Sequence, residues 1–371
     1  MNFDYSDDQN YLKEEVRRFL SARCPIAVTR RVLDDTDLAY DEALWKSVAE
    51  MGWTGVAIPE KWGGAGMGHI ELCAIAEELG RVIAPIPFAS TVYIFAEAVL
   101  AFGSDAQREA LLPAIARGEI IGCLADSEGP GARAAQRIEA RVAGGKLSGI
   151  KIPVTDGDIA THAIVTALED GQPGLFIVDM SDASISRQVV PTLDPTRSAA
   201  RLTFVDAPCE RLGQIGEGER LISTILDRAA ILFAFEQVGG ADRCLETAKS
   251  YALERHAFGR VIGGYQAIKH KLADMFVKNE LARSSAYYGA WALNSGAQEL
   301  PAAAAAARIA GTQAYDFAAK ESLQTHGGIG FTWEMDCHLH LRRARQLALA
   351  LGGLPFWRER LISTLECRNT N

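Results

Sequence analysis

The chain has 371 residues, 48% hydrophobic, 23% charged and 8% aromatic, the balance of an ordinary globular protein, which excludes a disordered, collagenous or low-complexity chain. Its 38 Lys and Arg stand against 47 Asp and Glu, a net charge of −9, so neither nucleic acid nor an anionic membrane is an expected partner. At roughly 150 residues per domain the length suggests two to three domains.

The first third carries helical patterning. Ser6 with Gln9 forms a capping box, and Leu12, Val16, Phe19 and Leu20 follow on one helical face. Further helices are predicted over 41–51, 70–81, 90–102 and 105–117, with the breaker-rich stretch Ile58 to Gly66 as a loop. The apolar stretch from Val82 to Ala96 contains Pro85 and Pro87, lies between Arg81 and Glu97 and is too short to span a bilayer, so no membrane span is expected. The acidic opening MNFDYSDDQN lacks the basic and apolar regions of a leader, which makes the cytoplasm the expected compartment. Seven Cys without a C-x-x-C pair read as reduced, mostly buried thiols.

From about Gly122 the period falls to two. Ile138, Ala140 and Val142 alternate with polar residues, Gly144-Gly145 turns the chain, and Leu147 to Ile152 returns, which predicts a hairpin. Ala163 to Val165, Leu175 to Val178 and Arg201 to Val205 are further strands, separated by turns at Asp170-Gly171 and Asp194-Pro195. After Gly216 and Gly218 the helical period returns through 219–255, 265–294, 301–325 and 335–365, and the run Ala302 to Ala307 suits close helix packing. The expected fold is α+β: an N-terminal helical domain over 1–118, a middle β-sandwich or barrel-like domain over 119–212 and a C-terminal four-helix bundle over 213–371.

The most informative stretch is Arg255-His256-Ala257-Phe258-Gly259-Arg260-Val261-Ile262 with Gln266. Arg255 and Phe258 are expected on one helical face, where a guanidinium fork for pyrophosphate would stand beside a ring able to stack on a base. This motif, preceded by Tyr251-Ala252-Leu253-Glu254, resembles a signature of the acyl-CoA dehydrogenase family. Gln324-Thr325-His326-Gly327-Gly328-Ile329-Gly330-Phe331 with Glu334 and Arg342-Arg343-Ala344-Arg345 resembles that family's C-terminal motif. The resemblance implies an FAD flavoprotein that removes hydrogens from Cα and Cβ of an acyl-CoA substrate, as a homo- or hetero-oligomer, usually a tetramer built from dimers, with an electron-transfer flavoprotein as a further partner. By that resemblance Arg255, Phe258, Gln266, Gln324, Gly327 and Gly328 would bind the ADP half of an FAD held mainly by a neighbouring subunit.

Departures from the family pattern concern the chemistry. The α proton requires a carboxylate base, yet the usual position holds Leu351, before Gly352, and the alternative site holds Ala229, followed by Ala230 where a basic residue is expected. The run Ala125 to Ala134 lacks the hydroxyl donor that the family offers to the flavin. At Pro153-Val154-Thr155-Asp156 only Thr155 keeps a hydrogen-bond donor for the flavin ring. Glu236, on the same helical face as Ala229, is a conceivable displaced base or a buried structural carboxylate. His326, His338 and His340 read as packing or surface groups, and no metal site is expected. The implied function is therefore a subunit that lacks the usual Glu and helps bind FAD for a partner. The alternatives are a homotetrameric dehydrogenase with a displaced base and a flavin-dependent monooxygenase on the same scaffold.

Overall fold

The protein is described by a computed structural model covering residues 5–35, 37–129 and 138–369. Element types follow the expected order. Helices α1 (Asp7–Arg23), α2 (Ile26–Asp34), α3 (Glu42–Glu50), α4 (His69–Arg81), α5 (Glu97–Phe102) and α6 (Asp105–Ala116) come first. Strands β1 (Gly122–Ala125), β2 (Arg141–Ala143), β3 (Lys146–Thr155), β4 (His162–Glu169), β5 (Gln172–Asp179), β6 (Ile185–Val189), β7 (Ala199–Pro208) and β8 (Glu210–Leu212) occupy the middle. The last part holds α7 (Gly218–Glu254), the short pair β9 (His256–Ala257) and β10 (Arg260–Val261), then α8 (Gln266–Ser295), α9 (Leu300–Thr325), α10 (Cys337–Leu349) and α11 (Leu354–Asn369). The predicted capping box forms at Ser6 and Gln9, and a second one forms at Ser104 and Gln107.

By contact density the chain divides into two compact units. One gathers residues 1–27, 69–84 and 230–371, and the other gathers 28–68 and 85–229.

The second unit is built on one sheet, ordered β6-β7-β3-β2-β4-β5-β8, with β1 joining β4. The β1–β4 and β2–β4 pairs are parallel, and the remaining neighbours are antiparallel. Alternation along the strands buries Val142, Leu147, Val154, Val165, Phe176, Val178, Leu202 and Phe204 in one cluster. Residues Ala89–Ala96, within the apolar stretch that is too short for a membrane, form a fully buried π-helical segment leading into α5. Among the described residues no helix is long and apolar enough to cross a membrane.

In the first unit, α1 is fastened to α4 by charge. Lys13 Nζ lies 2.7 Å from Glu77, and the Arg17 guanidinium donates to Glu78 at 2.6 and 2.9 Å. Arg283 of α8 reaches Glu77 at 2.6 Å. Burial pushes the Glu77 carboxyl up, but Lys13 and Arg283 outweigh it and hold it below the usual range. Helices α4 and α7 cross at glycines: a Cβ on Gly239 would stand 1.8 Å from the Glu77 carbonyl oxygen, and one on Gly80 2.0 Å from that of Glu236. The two backbones meet directly.

The segment expected as one helix over 335–365 is two. The chain breaks at Leu351 (φ +61°) and Gly352 (φ +102°), and Pro355 lies in the first turn of α11. A left-handed pair cannot continue a right-handed helix.

Candidate functional site

The Arg255 motif does not lie on a helical face. Helix α7 stops at Glu254, and residues 256–261 form a two-stranded ribbon whose turn contains Phe258 (φ +52°) and Gly259 (φ +83°). The expectation of a shared helical face is corrected for that reason: a residue in left-handed conformation followed by Gly favours a tight turn over another helical turn. The Ile262 N–H closes the ribbon on the Arg255 carbonyl at 2.8 Å, and the Tyr265 hydroxyl donates to the Ala257 carbonyl at 2.9 Å. The ribbon is thus fixed while its tip is bare: Phe258 is 97% exposed.

Two contacts bring the second motif to the same end of the unit. Tyr251, one turn before Arg255, lies against the His326 ring with centroids 4.3 Å apart. Lys271, five residues after Gln266, pairs at 2.7 Å with Glu321, three residues before Gln324. Arg255, Gln266, Gln324 and Gly328 are exposed, and among the described residues the side chains of the first three make no hydrogen bond or ion pair. Gly327 (φ +63°) follows the C-terminus of α9, and a Cβ on it or on Gly328 would meet nothing within 4 Å. A fixed end of a bundle carrying a free guanidinium, two free amides, a bare ring and two open glycines can take an anionic, ring-bearing ligand. These donors fit a dinucleotide such as FAD.

The histidines have local roles. His326 is buried, with Nδ1 2.7 Å from the Ser322 carbonyl and 3.4 Å from Cys337 Sγ. Burial pushes the Cys337 thiol up to about 11, so this pair is no thiolate nucleophile at neutral pH. His340 bonds the Tyr315 hydroxyl at 2.9 Å, and His338 stacks on Trp333.

Glu236 is 1% exposed, beside the fully buried Arg343 at 3.4 Å. Of the two readings open in the sequence, this environment matches the buried structural carboxylate, because a base must reach its substrate. Ala229 is fully buried, and its neighbour Arg228 is committed to Glu97 at 2.6 Å. Leu351 lies in the turn after α10, half-buried. That turn is held by Arg308, a fully buried guanidinium that donates to Gln237 Oε1 at 2.6 Å, to the Ala350 carbonyl at 2.7 Å and to the Leu347 carbonyl. Burial pushes Arg308 down to about 9, against the pull of Glu236. The periodicity of α9 marked its small residues and passed over Arg308, which shows only as a cation among alanines.

In the sheet, Thr155 ends β3 with its side chain exposed, opposite Ala199 of β7. The following residue, Asp156 (φ +56°), accepts from Ser90 Oγ at 2.6 Å and donates its N–H to the Ser198 carbonyl, so the end of the strand is fixed. Pro130 to Ala134 lie outside the described residues, but Ala125 to Gly129 do not. Ala125 points into the sheet core, whereas Ser127 and Glu128 follow it side by side. The Ser127 hydroxyl donates to the Gly129 carbonyl at 3.1 Å. Glu128 accepts from the fully buried Lys151 at 2.6 Å and from the Glu139 N–H at 2.7 Å. Sequence reading missed this Lys because a single cation in an alternating strand looks like an outward-facing residue.

Residues 6–119 match the family profile for the acyl-CoA dehydrogenase N-terminal domain, and residues 216–354 match that for the acyl-CoA dehydrogenase C-terminal domain. The acyl-CoA dehydrogenase IpdE2 of Mycobacterium tuberculosis is 34% identical over 350 residues, which cover 93% of each chain. Among solved structures, a variant of the Tcur3481–Tcur3483 steroid ACAD superposes with a TM-score of 0.89 at 30% identity over 98% of this chain and 99% of that one. The ChsE4–ChsE5 complex of Mycobacterium tuberculosis gives a TM-score of 0.89 at 25% identity over 99% of each chain.

Proposed function

The chain belongs to the acyl-CoA dehydrogenase family, and on that premise we propose that it is a subunit of an FAD-dependent acyl-CoA α,β-dehydrogenase that helps bind the flavin while a second family chain supplies the carboxylate base. The observation that carries this reading is a contrast. Hydrocarbon occupies both base positions, Leu351 and Ala229, while the bundle end keeps the side chains of Arg255, Phe258, Gln266 and Gln324 exposed. Loss of function without selection would be expected to degrade both alike.

FAD, when bound, supplies the acceptor for the β hydrogen as hydride. Arg255 would neutralise pyrophosphate, Gln266 and Gln324 would bond ribose or phosphate oxygens, Phe258 would stack on a base, and Gly327 and Gly328 would allow close backbone approach. The exposed Thr155 hydroxyl would donate to the flavin ring. None of these groups can take the α proton. In the dehydrogenase reading a carboxylate of the partner chain takes that proton, which the burial of Glu236 beside Arg343 supports. Two of the similar structures are complexes of two named components, and one is a steroid enzyme, which supports a hetero-oligomer acting on a bulky, steroid-derived acyl-CoA. An electron-transfer flavoprotein is the proposed onward electron acceptor.

The hydrocarbon base positions also suit a flavin-dependent monooxygenase, which needs no carboxylate. Anaerobic bleaching of the flavin by acyl-CoA tests the choice. The proposed function requires bleaching in the two-chain assembly, with loss of it when the partner's carboxylate is changed to an amide; oxygen-dependent hydroxylation of substrate without bleaching would replace dehydrogenation.

A further inference from the structure

We propose that a cavity of about 210 Å³ between α1, α4, α7 and α10 is a binding site for a small organic carboxylate with a short apolar tail. Its basic wall is formed by Arg17, Arg81 and Arg243. Arg17 spends Nε and Nη2 on the buried Glu78, which leaves Nη1. Arg81 reaches Glu246 through Nη2 alone, and Arg243 is only loosely paired with the same carboxylate at 3.8 Å. Three guanidiniums therefore pair with two carboxylates at the cavity, while Asp242 and Glu77 act on Arg81 and Arg17 from farther away.

The remaining wall defines the ligand. His340 is 9% exposed and lines the cavity, with Nδ1 taken by the Tyr315 hydroxyl at 2.9 Å and Nε2 left over. Burial and the charges of Arg243, Arg343 and Arg81 push this imidazole down to about 3, so it is neutral at physiological pH and adds no counter-charge. Arg343 itself is paired with Glu236. Pro25, Ile26 and Val82 give the cavity an apolar side. A carboxylate suits the planar guanidinium fork, and a few methylenes suit the apolar side better than a bare oxyanion does.

The test is isothermal titration of the assembled, FAD-containing protein with n-butyrate, with acetate, inorganic phosphate and butyramide as comparators. Saturable butyrate binding is expected, tighter than acetate by about fourfold per methylene, with no butyramide binding. Arg243→Gln should weaken butyrate by roughly tenfold or more. Ile26→Ser, away from the charges, should erase the preference for butyrate over acetate. Absence of saturable butyrate binding, equal binding of acetate and phosphate (an adventitious ion only), or unchanged butyrate affinity in Arg243→Gln would each overturn the proposal.

Discussion

In the proposed function Arg255 is a single charged group whose partner is the cofactor. Its guanidinium has no partner among the described residues, so Arg255→Ala should leave the melting temperature almost unchanged. Loss of a charge-assisted bidentate contact costs about 1.5–3 kcal/mol, so flavin affinity should fall roughly tenfold to a hundredfold, read by equilibrium dialysis of FAD. Unchanged FAD affinity in the assembled protein would remove the strongest part of the cofactor assignment. Glu236 is the opposite case. Glu236→Ala leaves Arg343 buried beside a cavity, and breaking a buried pair commonly costs about 3–5 kcal/mol, to be measured by chemical denaturation. His340 adds a pH dependence of known sign. Its folded pKa, about 3, lies below the unfolded value near 6.5, so stability is complete above about 6.5 and falls as pH drops toward 3, by up to ~1.4 kcal/mol per unit. Denaturation midpoints between pH 4 and 7 should therefore show a shallower slope in His340→Gln than in the parent.

At the scale of elements, the crossing of α4 and α7 makes the sharpest prediction. Gly239→Ala drives a methyl into the Glu77 carbonyl, and because both partners are backbone the helices must separate, at a cost of at least ~1–3 kcal/mol. A melting temperature equal to that of the parent would show that the crossing is looser than described. The elements differ in how visible they are in the sequence. Helices with capping boxes or long apolar faces, such as α1, α6 and α7, are legible, because local chemistry and burial point the same way. Strand β6 is not: after its half-buried first residue every position is exposed, so no alternation marks it. The break at Leu351 had a signal in Gly352, Gly353 and Pro355 that the helical period around it overrode. The candidate site residues stand out as motifs, but their setting does not. Spacing alone placed Arg255 and Phe258 on a helix, and only tertiary structure shows the ribbon that presents them. Arg308 and Lys151 were invisible because burying a cation depends on partners remote in sequence, Gln237 and Glu128.

For the whole molecule, the account makes this chain an incomplete enzyme by itself. In the proposed function its exposed Arg255, Phe258, Gln266 and Gln324 would serve the adenosine half of FAD and the Thr155 hydroxyl the ring, with Leu351 and Ala229 at the two base positions. General-base catalysis commonly contributes about 10²- to 10⁴-fold in rate, so the chain alone should turn over acyl-CoA weakly or not at all even when flavin is supplied. The direct measurement is acyl-CoA-dependent reduction of an artificial electron acceptor, with FAD per chain determined on the same samples, for the chain alone and co-assembled with a family member that carries Glu at the position equivalent to Leu351. The account predicts little turnover and low flavin content alone, and a rise in both on co-assembly. Robust turnover by the isolated wild-type chain would contradict it.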